Sequence, residues 1–185
     1  ASRTFTINTI PTAIPEQQTI SVCAGEAIML GTPVSGPGIT YEWTGPNGFQ
    51  SASPFPAAID PATTLNDGVY VLTVLRNGCA SDPAFVHVDV LPRPARPELS
   101  NNGPVCVGED VVLSTNADAE VYHWIAPDLR EFSTTTDTFL LDQVTAEQSG
   151  NWRLYVTDFG CDSETSAASV VGVTPPPQPA AAAVQ

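Results

Sequence analysis

Residues 67–79 read DGVYVLTVLRNGC, and residues 149–161 read SGNWRLYVTDFGC. The two stretches lie 82 residues apart, carry an aromatic residue two positions after the first glycine, and end on Gly-Cys. In both, apolar and polar residues alternate, which is typical of a β-strand with one buried face. A self-similarity of this length, with turn residues and cysteines in register, predicts two small β domains in tandem.

The repeat extends well beyond these strands. The first copy has the set Cys23, Gly25, Glu26, Trp43, Pro46, Asp60, Gly68, Tyr70 and Cys79, and the second has Cys106, Gly108, Glu109, Trp124, Pro127, Asp142, Gly150, Trp152 and Cys161. No stretch has a helical period. We therefore predict an all-β fold of two sandwiches joined by a proline-rich linker.

Aromatic residues at alternating positions indicate where each core lies. The predicted core residues are Trp43, Tyr70, Trp124 and Trp152. The facing strand is predicted at residues 28–30 in the first copy and 111–113 in the second. Turns are expected at Asn47-Gly48 and Asn77-Gly78, which favour hairpins.

Proline-rich stretches set the expected boundaries. Residues 1–20 are predicted to hold the final strand of an upstream repeat (1–10) and a linker (11–20). Module one then covers 21–91, a linker covers 92–103, module two covers 104–173, and a Pro/Ala-rich linker covers 174–185. Runs such as Pro175-Pro176-Pro177 favour extended polyproline II and act as semi-rigid spacers.

Each module contains two cysteines at nearly equal spacing. Four cysteines permit three pairings, and the symmetry of the repeat selects Cys23–Cys79 and Cys106–Cys161. Four free thiols are the alternative. Disulfides form in oxidising compartments, so the pairing predicts an exported, extracellular or cell-surface protein.

The charge balance limits the partners. The net charge is −14, and all six basic residues are arginines. Such a chain is repelled by nucleic acid and by anionic membranes, and we expect neither nucleic-acid binding nor membrane insertion. No C-x-x-C zinc motif or calcium loop is present. His87 and His123 lie at non-equivalent positions, and we predict no catalytic residues, metal or cofactor.

The tryptophan of strand C and the Asp-Gly-x-Tyr stretch that opens strand F resemble an immunoglobulin-like sandwich, in which that tyrosine forms the tyrosine corner. Module two has Trp152 there, which fills the same space but cannot accept a hydrogen bond as a phenol does. The cysteines depart from the antibody pattern, because Cys79 and Cys161 follow a turn. The predicted bond would tie the F–G hairpin to the A–B edge at one end of the sandwich.

The motifs at residues 22–26 (VCAGE), 41–49 (YEWTGPNGF) and 77–79 (NGC) resemble the Ig-like repeats of large Bacteroidota-type surface proteins. Module two is more divergent. The resemblance implies a non-catalytic structural segment of a large adhesin or filament protein, serving adhesion, motility or assembly, with neighbouring repeats or like subunits as partners.

Two alternatives remain open. A fibre subunit would donate the strand at Phe5, Ile7 and Ile10 to a neighbour's sheet edge. A module of a secreted enzyme would act as a spacer or bind carbohydrate, and exposed aromatic residues could then contact surface glycans. The candidate ligand or domain-junction contacts are Phe49, Phe132 and Tyr155.

Overall fold

The computed structural model describes residues 9–175. The chain divides between Pro92 and Arg93 into two compact units. Module one contains β1 (Thr19–Cys23), β2 (Ile39–Thr44), β3 (Gln50–Ser51), β4 (Gly68–Arg76), β5 (Cys79–Ala80) and β6 (Ala84–Leu91). These strands form one sheet in the order β1-β6-β4-β2-β3, with β5 paired to β4. The β1–β6 pair is parallel, and the other pairs are antiparallel.

The layer that faces this sheet is less regular than predicted. Ile28 and Ile59 form an isolated bridge, with both backbone hydrogen bonds at 3.0 Å. Ile28 and Leu30 are buried, whereas Met29 is 73% exposed. A strand was predicted over residues 28–30; these residues alternate between buried and exposed as a strand does, but they form only this isolated bridge and no continuous ladder.

Module two has a second continuous sheet, which module one lacks among its described residues. Its strands are β7 (Ser100–Asn101), β8 (Val105–Cys106), β9 (Val111–Ser114), β10 (Val121–Ile125), β11 (Glu131–Thr134), β12 (Thr138–Leu141), β13 (Gly150–Asp158), β14 (Cys161–Asp162), β15 (Ser169–Val171) and β16 (Val173–Thr174). One sheet has the order β11-β10-β13-β14, with β15 also paired to β13, and another has the order β12-β9-β7. A parallel pair, β8 and β16, lies beside them. The predicted all-β class is confirmed.

Each module has its own hydrophobic core. Trp43 and Tyr70 are fully buried in the first core, and Trp124 and Trp152 in the second. Along β4 and β13, fully buried residues alternate with partly buried or exposed ones, as the period of two requires. The two cores are built from equivalent strands, because the hydrophobic pattern repeats with the sequence.

The corner at the start of β4 and β13, which correspond to strand F of the immunoglobulin-like sandwich, is the same in both modules. The Tyr70 hydroxyl donates to the carbonyl of Asn66 at 3.0 Å, and Trp152 Nε1–H donates to the carbonyl of Gln148 at 3.0 Å. Both acceptors lie four residues before the aromatic residue. The indole of Trp152 cannot accept a hydrogen bond, but the bond at this corner requires only a donor, and the indole N–H is one.

A short 3-10 turn precedes each corner, at Thr64–Asn66 and at Ala146–Gln148. The Thr63 amide donates to Asn66 Oδ1 at 2.9 Å, and the Thr145 amide donates to Gln148 Oε1 at 2.8 Å. These capping bonds fix the backbone carbonyl that the buried aromatic residue then uses.

Parts of the expected linkers at 11–20 and 92–103 belong to the folded modules. The Glu16 amide donates to the carbonyl of Gly31 at 2.9 Å, and Thr32 Oγ1 donates to the carbonyl of Ile14 at 2.6 Å. Strand β7 lies within 92–103 and pairs with β9. Proline-rich segments are extended, and an extended segment at a sheet edge can still exchange backbone hydrogen bonds.

Candidate functional site

The four cysteines lie at the ends of the two modules. We call Cys23 and Cys106, which end β1 and β8, the base cysteines. We call Cys79 and Cys161, which begin β5 and β14, the tip cysteines. Each module has one of each kind.

The base cysteines are held by the same turn in both modules. The Cys23 amide donates to Glu26 Oε2 at 2.9 Å, and the Glu26 amide returns a bond to the Cys23 carbonyl at 3.0 Å. The corresponding distances between Cys106 and Glu109 are 2.8 and 3.1 Å. The glycine of each turn has a positive φ, 92° at Gly25 and 89° at Gly108, which explains the Cys-x-Gly-Glu motif.

The tip cysteines follow a tight two-residue turn. Asn77 and Gly78 have φ values of 48° and 87°, and Phe159 and Gly160 have 48° and 77°. Two consecutive positive φ values define the primed hairpin turn that matches strand twist. Asn-Gly predicted this turn in module one, whereas Phe-Gly in module two adopts it without the usual asparagine.

The predicted disulfides within modules are wrong. Cys79 pairs with Arg76 at one end of β4, whereas Cys23 pairs with Leu91, beyond the opposite end of β4 at Gly68. β4 alone spans roughly 26 Å at about 3.3 Å per residue, and the Cα atoms of a disulfide lie within about 7 Å.

Module two repeats this separation. Cys161 pairs with Asp158 at one end of β13, and Cys106 pairs with Thr174, beyond the opposite end. Cys79 and Cys106 are free thiols, and Cys23 and Cys161 are disulfide-bonded.

A serine that was not predicted from the repeat stabilises each tip hairpin. Ser81 Oγ accepts from the amide of Val74 at 3.1 Å, and Ser163 Oγ accepts from the amide of Val156 at 3.0 Å. In the sequence, the signal is a Cys-x-Ser spacing that occurs in both copies. The bond ties the tip cysteine's segment to the long strand F.

A polar cluster covers the outer face of the β10–β11–β13 sheet in module two. His123 and Tyr155 lie directly opposite each other on β10 and β13, and their rings stack with centroids 4.3 Å apart. Glu131 Oε1 accepts from the Tyr155 hydroxyl at 2.8 Å and lies 3.0 Å from His123 Nδ1. Both rings lie on the outer face of the sheet, and the imidazole covers one face of the Tyr155 ring.

In this cluster, the Thr157 hydroxyl, the His123 imidazole and the Glu131 carboxylate lie within hydrogen-bonding distance of one another in that order. Thr157 Oγ1 lies 2.9 Å from His123 Nε2, but its own proton is donated to Asp162 Oδ1 at 2.6 Å. A catalytic nucleophile would have to give that proton to the histidine. The arrangement is that of a cross-strand polar ladder, in which the hydroxyl accepts on its histidine side. His87 is exposed on β6.

Tyr155 provides a spectroscopic test of this cluster. Partial burial first, and then the hydrogen bond to Glu131 and the charges of Glu131 and Asp162, raise the pKa of Tyr155 to about 12. We expect ultraviolet titration to show one tyrosine ionising near that pH, and the Glu131→Gln variant to bring it down. Since the folded pKa exceeds the unfolded value of about 10, this group's contribution to stability is complete below pH 10 and is lost as the pH rises towards 12. Equal ionisation in both proteins would contradict the role of Glu131.

Phe132 and Phe49 are half-buried rather than free platforms. Phe49 packs edge-on against Tyr70 at 5.2 Å. Phe132 packs against Phe139 at 5.3 Å, and the Arg130 guanidinium lies 5.9 Å from its ring centre. A groove in module two is lined by Phe132 and Phe139 together with Arg130, Leu140, Asp142 and Gln148.

The residues proposed for strand donation lie at the start of the chain. Phe5 and Ile7 lie outside the described residues, and Ile10 is 71% exposed. Within residues 9–175, no group of histidine, cysteine, aspartate and glutamate side chains could hold a metal ion. In the same part of the chain, no helix has the length and apolar character needed to span a membrane.

Comparisons with known proteins define the fold. No protein-family profile matches the chain, and no curated protein matches it. It is similar to a chain in the crystal structure of mouse coronavirus receptor-binding domain complexed with its murine receptor (TM-score 0.54, 13% identity). The match covers 88% of this chain and 99% of the other chain. It is also similar to murine CEACAM1b (TM-score 0.50, 13% identity, 88% and 99% coverage). With these neighbours, the chain has an immunoglobulin-like β-sandwich fold.

Proposed function

We propose that this chain is a non-catalytic structural segment of a large extracellular bacterial surface protein or filament, serving adhesion, motility or assembly. The observation that carries the proposal is the duplication of both module ends. The base turn, the tip hairpin and the aromatic corner recur with nearly the same hydrogen bonds in two modules of different sequence. A module whose ends are repeated so closely is suited to a serial array.

The surface chemistry supports an extracellular role. The chain contains disulfide-bonded cysteines, which fit an oxidising compartment. A net charge of −14 without lysine favours a well-solvated surface that does not aggregate. The histidine that comes closest to a catalytic arrangement is instead part of a polar ladder on one sheet face.

Electron microscopy of the native, full-length protein tests the proposal. We expect threads in which sandwich-sized beads follow one another. Compact single particles would contradict it. Deleting residues 1–10 separates the two filament hypotheses, because a fibre subunit that donates Phe5–Ile10 would stop polymerising, whereas a serial array would lose little.

The groove of module two favours glycan binding as a second function. Aromatic rings of Phe132 and Phe139 beside the charged Arg130 and Asp142 combine a stacking surface with polar groups. A glycan array should then give a defined ligand that is lost in Phe132→Ala and retained in Phe49→Ala. Binding that survives the Phe132 change, or no binding at all, would remove this function.

A further inference from the structure

The free and bonded cysteines fall into a simple pattern. The disulfide-bonded residues are one base cysteine, Cys23, and one tip cysteine, Cys161. The free thiols are again one of each kind, the tip Cys79 and the base Cys106. Within either module, the base and tip cysteines lie too far apart to react with each other. Cys79 and Cys106, the two free thiols, can therefore form a disulfide only with a cysteine outside their own module.

The free thiols are held as the bonded ones are. Cys106 has the same pair of glutamate hydrogen bonds as Cys23, within about 0.1 Å. Cys79 follows the same turn as Cys161, and the two φ values of that turn agree within about 10°. Cys106 is exposed and Cys79 half-buried. The backbone already places both free thiols in conformations that support a disulfide elsewhere in the chain.

We propose that Cys106 of one chain forms a disulfide with Cys79 of a second copy, so that base and tip cysteines join successive segments covalently. This deepens the proposed function by naming the bond between segments, and it rests on that function for the setting in which copies meet. The two thiols lose two protons, and their two electrons pass to a disulfide oxidant, which is reduced to two thiols.

Charge favours this pairing over the two symmetric ones. Arg76 directly opposes Cys79 in its hairpin, and its Nε is buried without a hydrogen-bond partner among the described residues. Glu109 and Asp110 follow Cys106 in the base turn. A Cys79–Cys106 joint brings an arginine towards carboxylates, whereas a Cys106–Cys106 joint brings carboxylates together and a Cys79–Cys79 joint brings arginines together.

Two single variants test the direction of pairing. Cys79→Ser retains only the base thiol and Cys106→Ser only the tip thiol, while both keep Cys23 and Cys161. The variants are given tags of different size, mixed in equal amounts with oxidised glutathione, and run on non-reducing gels. We expect the mixed dimer to exceed each symmetric dimer by about tenfold, and the unmodified protein to form a reducible ladder of higher oligomers.

Digestion after glutamate identifies the bond, because it places the four cysteines in four peptides, residues 17–26, 43–98, 99–109 and 148–164. The proposal predicts a linked pair of 43–98 with 99–109. The Cys79→Ser, Cys106→Ser double variant is the control and should stay monomeric, and Cys79→Ala replaces Cys79→Ser if the half-buried site does not tolerate serine.

Random assortment, in which the mixed dimer is only about twice as abundant as each symmetric one, would overturn the proposal. Monomers capped by glutathione would overturn it too. The experiment uses purified protein, so its failure would leave the array seen by electron microscopy intact, and compact particles in the microscope would leave the bond intact.

Discussion

Replacing Trp124 with alanine is expected to lower the free energy of unfolding of module two by about 3–5 kcal/mol. Trp124 is fully buried, and its ring packs against Tyr122 and Phe139 with centroids 6.3 and 5.9 Å away. Its Nε1–H donates to Thr134 Oγ1 at 2.9 Å. The substitution therefore removes apolar contacts, leaves a cavity and breaks a hydrogen bond at once.

Denaturant unfolding followed by tryptophan fluorescence separates the two modules, because Trp43 reports on module one and Trp152 on module two. The matched control is Trp43→Ala, which should destabilise module one alone; because the change removes the tryptophan that reports on module one, unfolding of the Trp43 variants is followed by circular dichroism. Unlike Trp124, Trp43 has no partner for its Nε1 among the described residues, so Trp43→Phe should cost less than Trp124→Phe. A change of under about 1 kcal/mol for Trp124→Ala would show that this core collapses to fill the space.

Replacing Gly45 with alanine should destabilise module one by about 1–3 kcal/mol. The backbone of Gly45 is extended, so the reason is space and not conformational freedom. A Cβ at this position would lie 2.6 Å from Tyr70 Cε1 and 3.0 Å from its Cγ. The Tyr70 ring is fully buried and its hydroxyl is bonded to Asn66, so it cannot move away without losing that bond.

Combining Gly45→Ala with Tyr70→Ala identifies the cause. If the clash with the ring is responsible, the added methyl group should cost little in the Tyr70→Ala background, and the two effects will not add. Ala126 occupies the equivalent position in module two and is 4% exposed, which shows that a methyl group is accommodated beside a tryptophan corner. Additive effects in the double variant would point to the backbone instead of the ring.

The sequence predicted features that depend on neighbouring residues in one strand. Alternation along β4 and β13 identified the buried faces, and the Asp-Gly-x-Tyr stretch identified the corner. It could not predict which end of the sheet each cysteine reaches. The spacing between Cys23 and Cys79 nearly equals that between Cys106 and Cys161, which shows that the modules repeat. The distance in space between Cys23 and Cys79, however, depends on β1 running parallel to β6, which no local sequence pattern records.

The outer cluster of module two was beyond sequence reasoning for a similar reason. His123 and Tyr155 are 32 positions apart in the chain, and they meet only because β10 and β13 pair in one particular register. A shift of that register by one residue would place the two side chains on opposite faces of the sheet. Periodicity along a single strand cannot identify the residue that lies opposite on the paired strand.

The parallel strands at the edges of the modules have a mechanical consequence. The chain enters module one through β1 and leaves through β6, and five residue pairs join these strands in parallel. Tension on the two ends would slide the strands past each other, so all the hydrogen bonds between them would resist together instead of opening one by one. In module two, the corresponding strands β8 and β16 share two residue pairs, so fewer hydrogen bonds between these two strands would resist the same sliding.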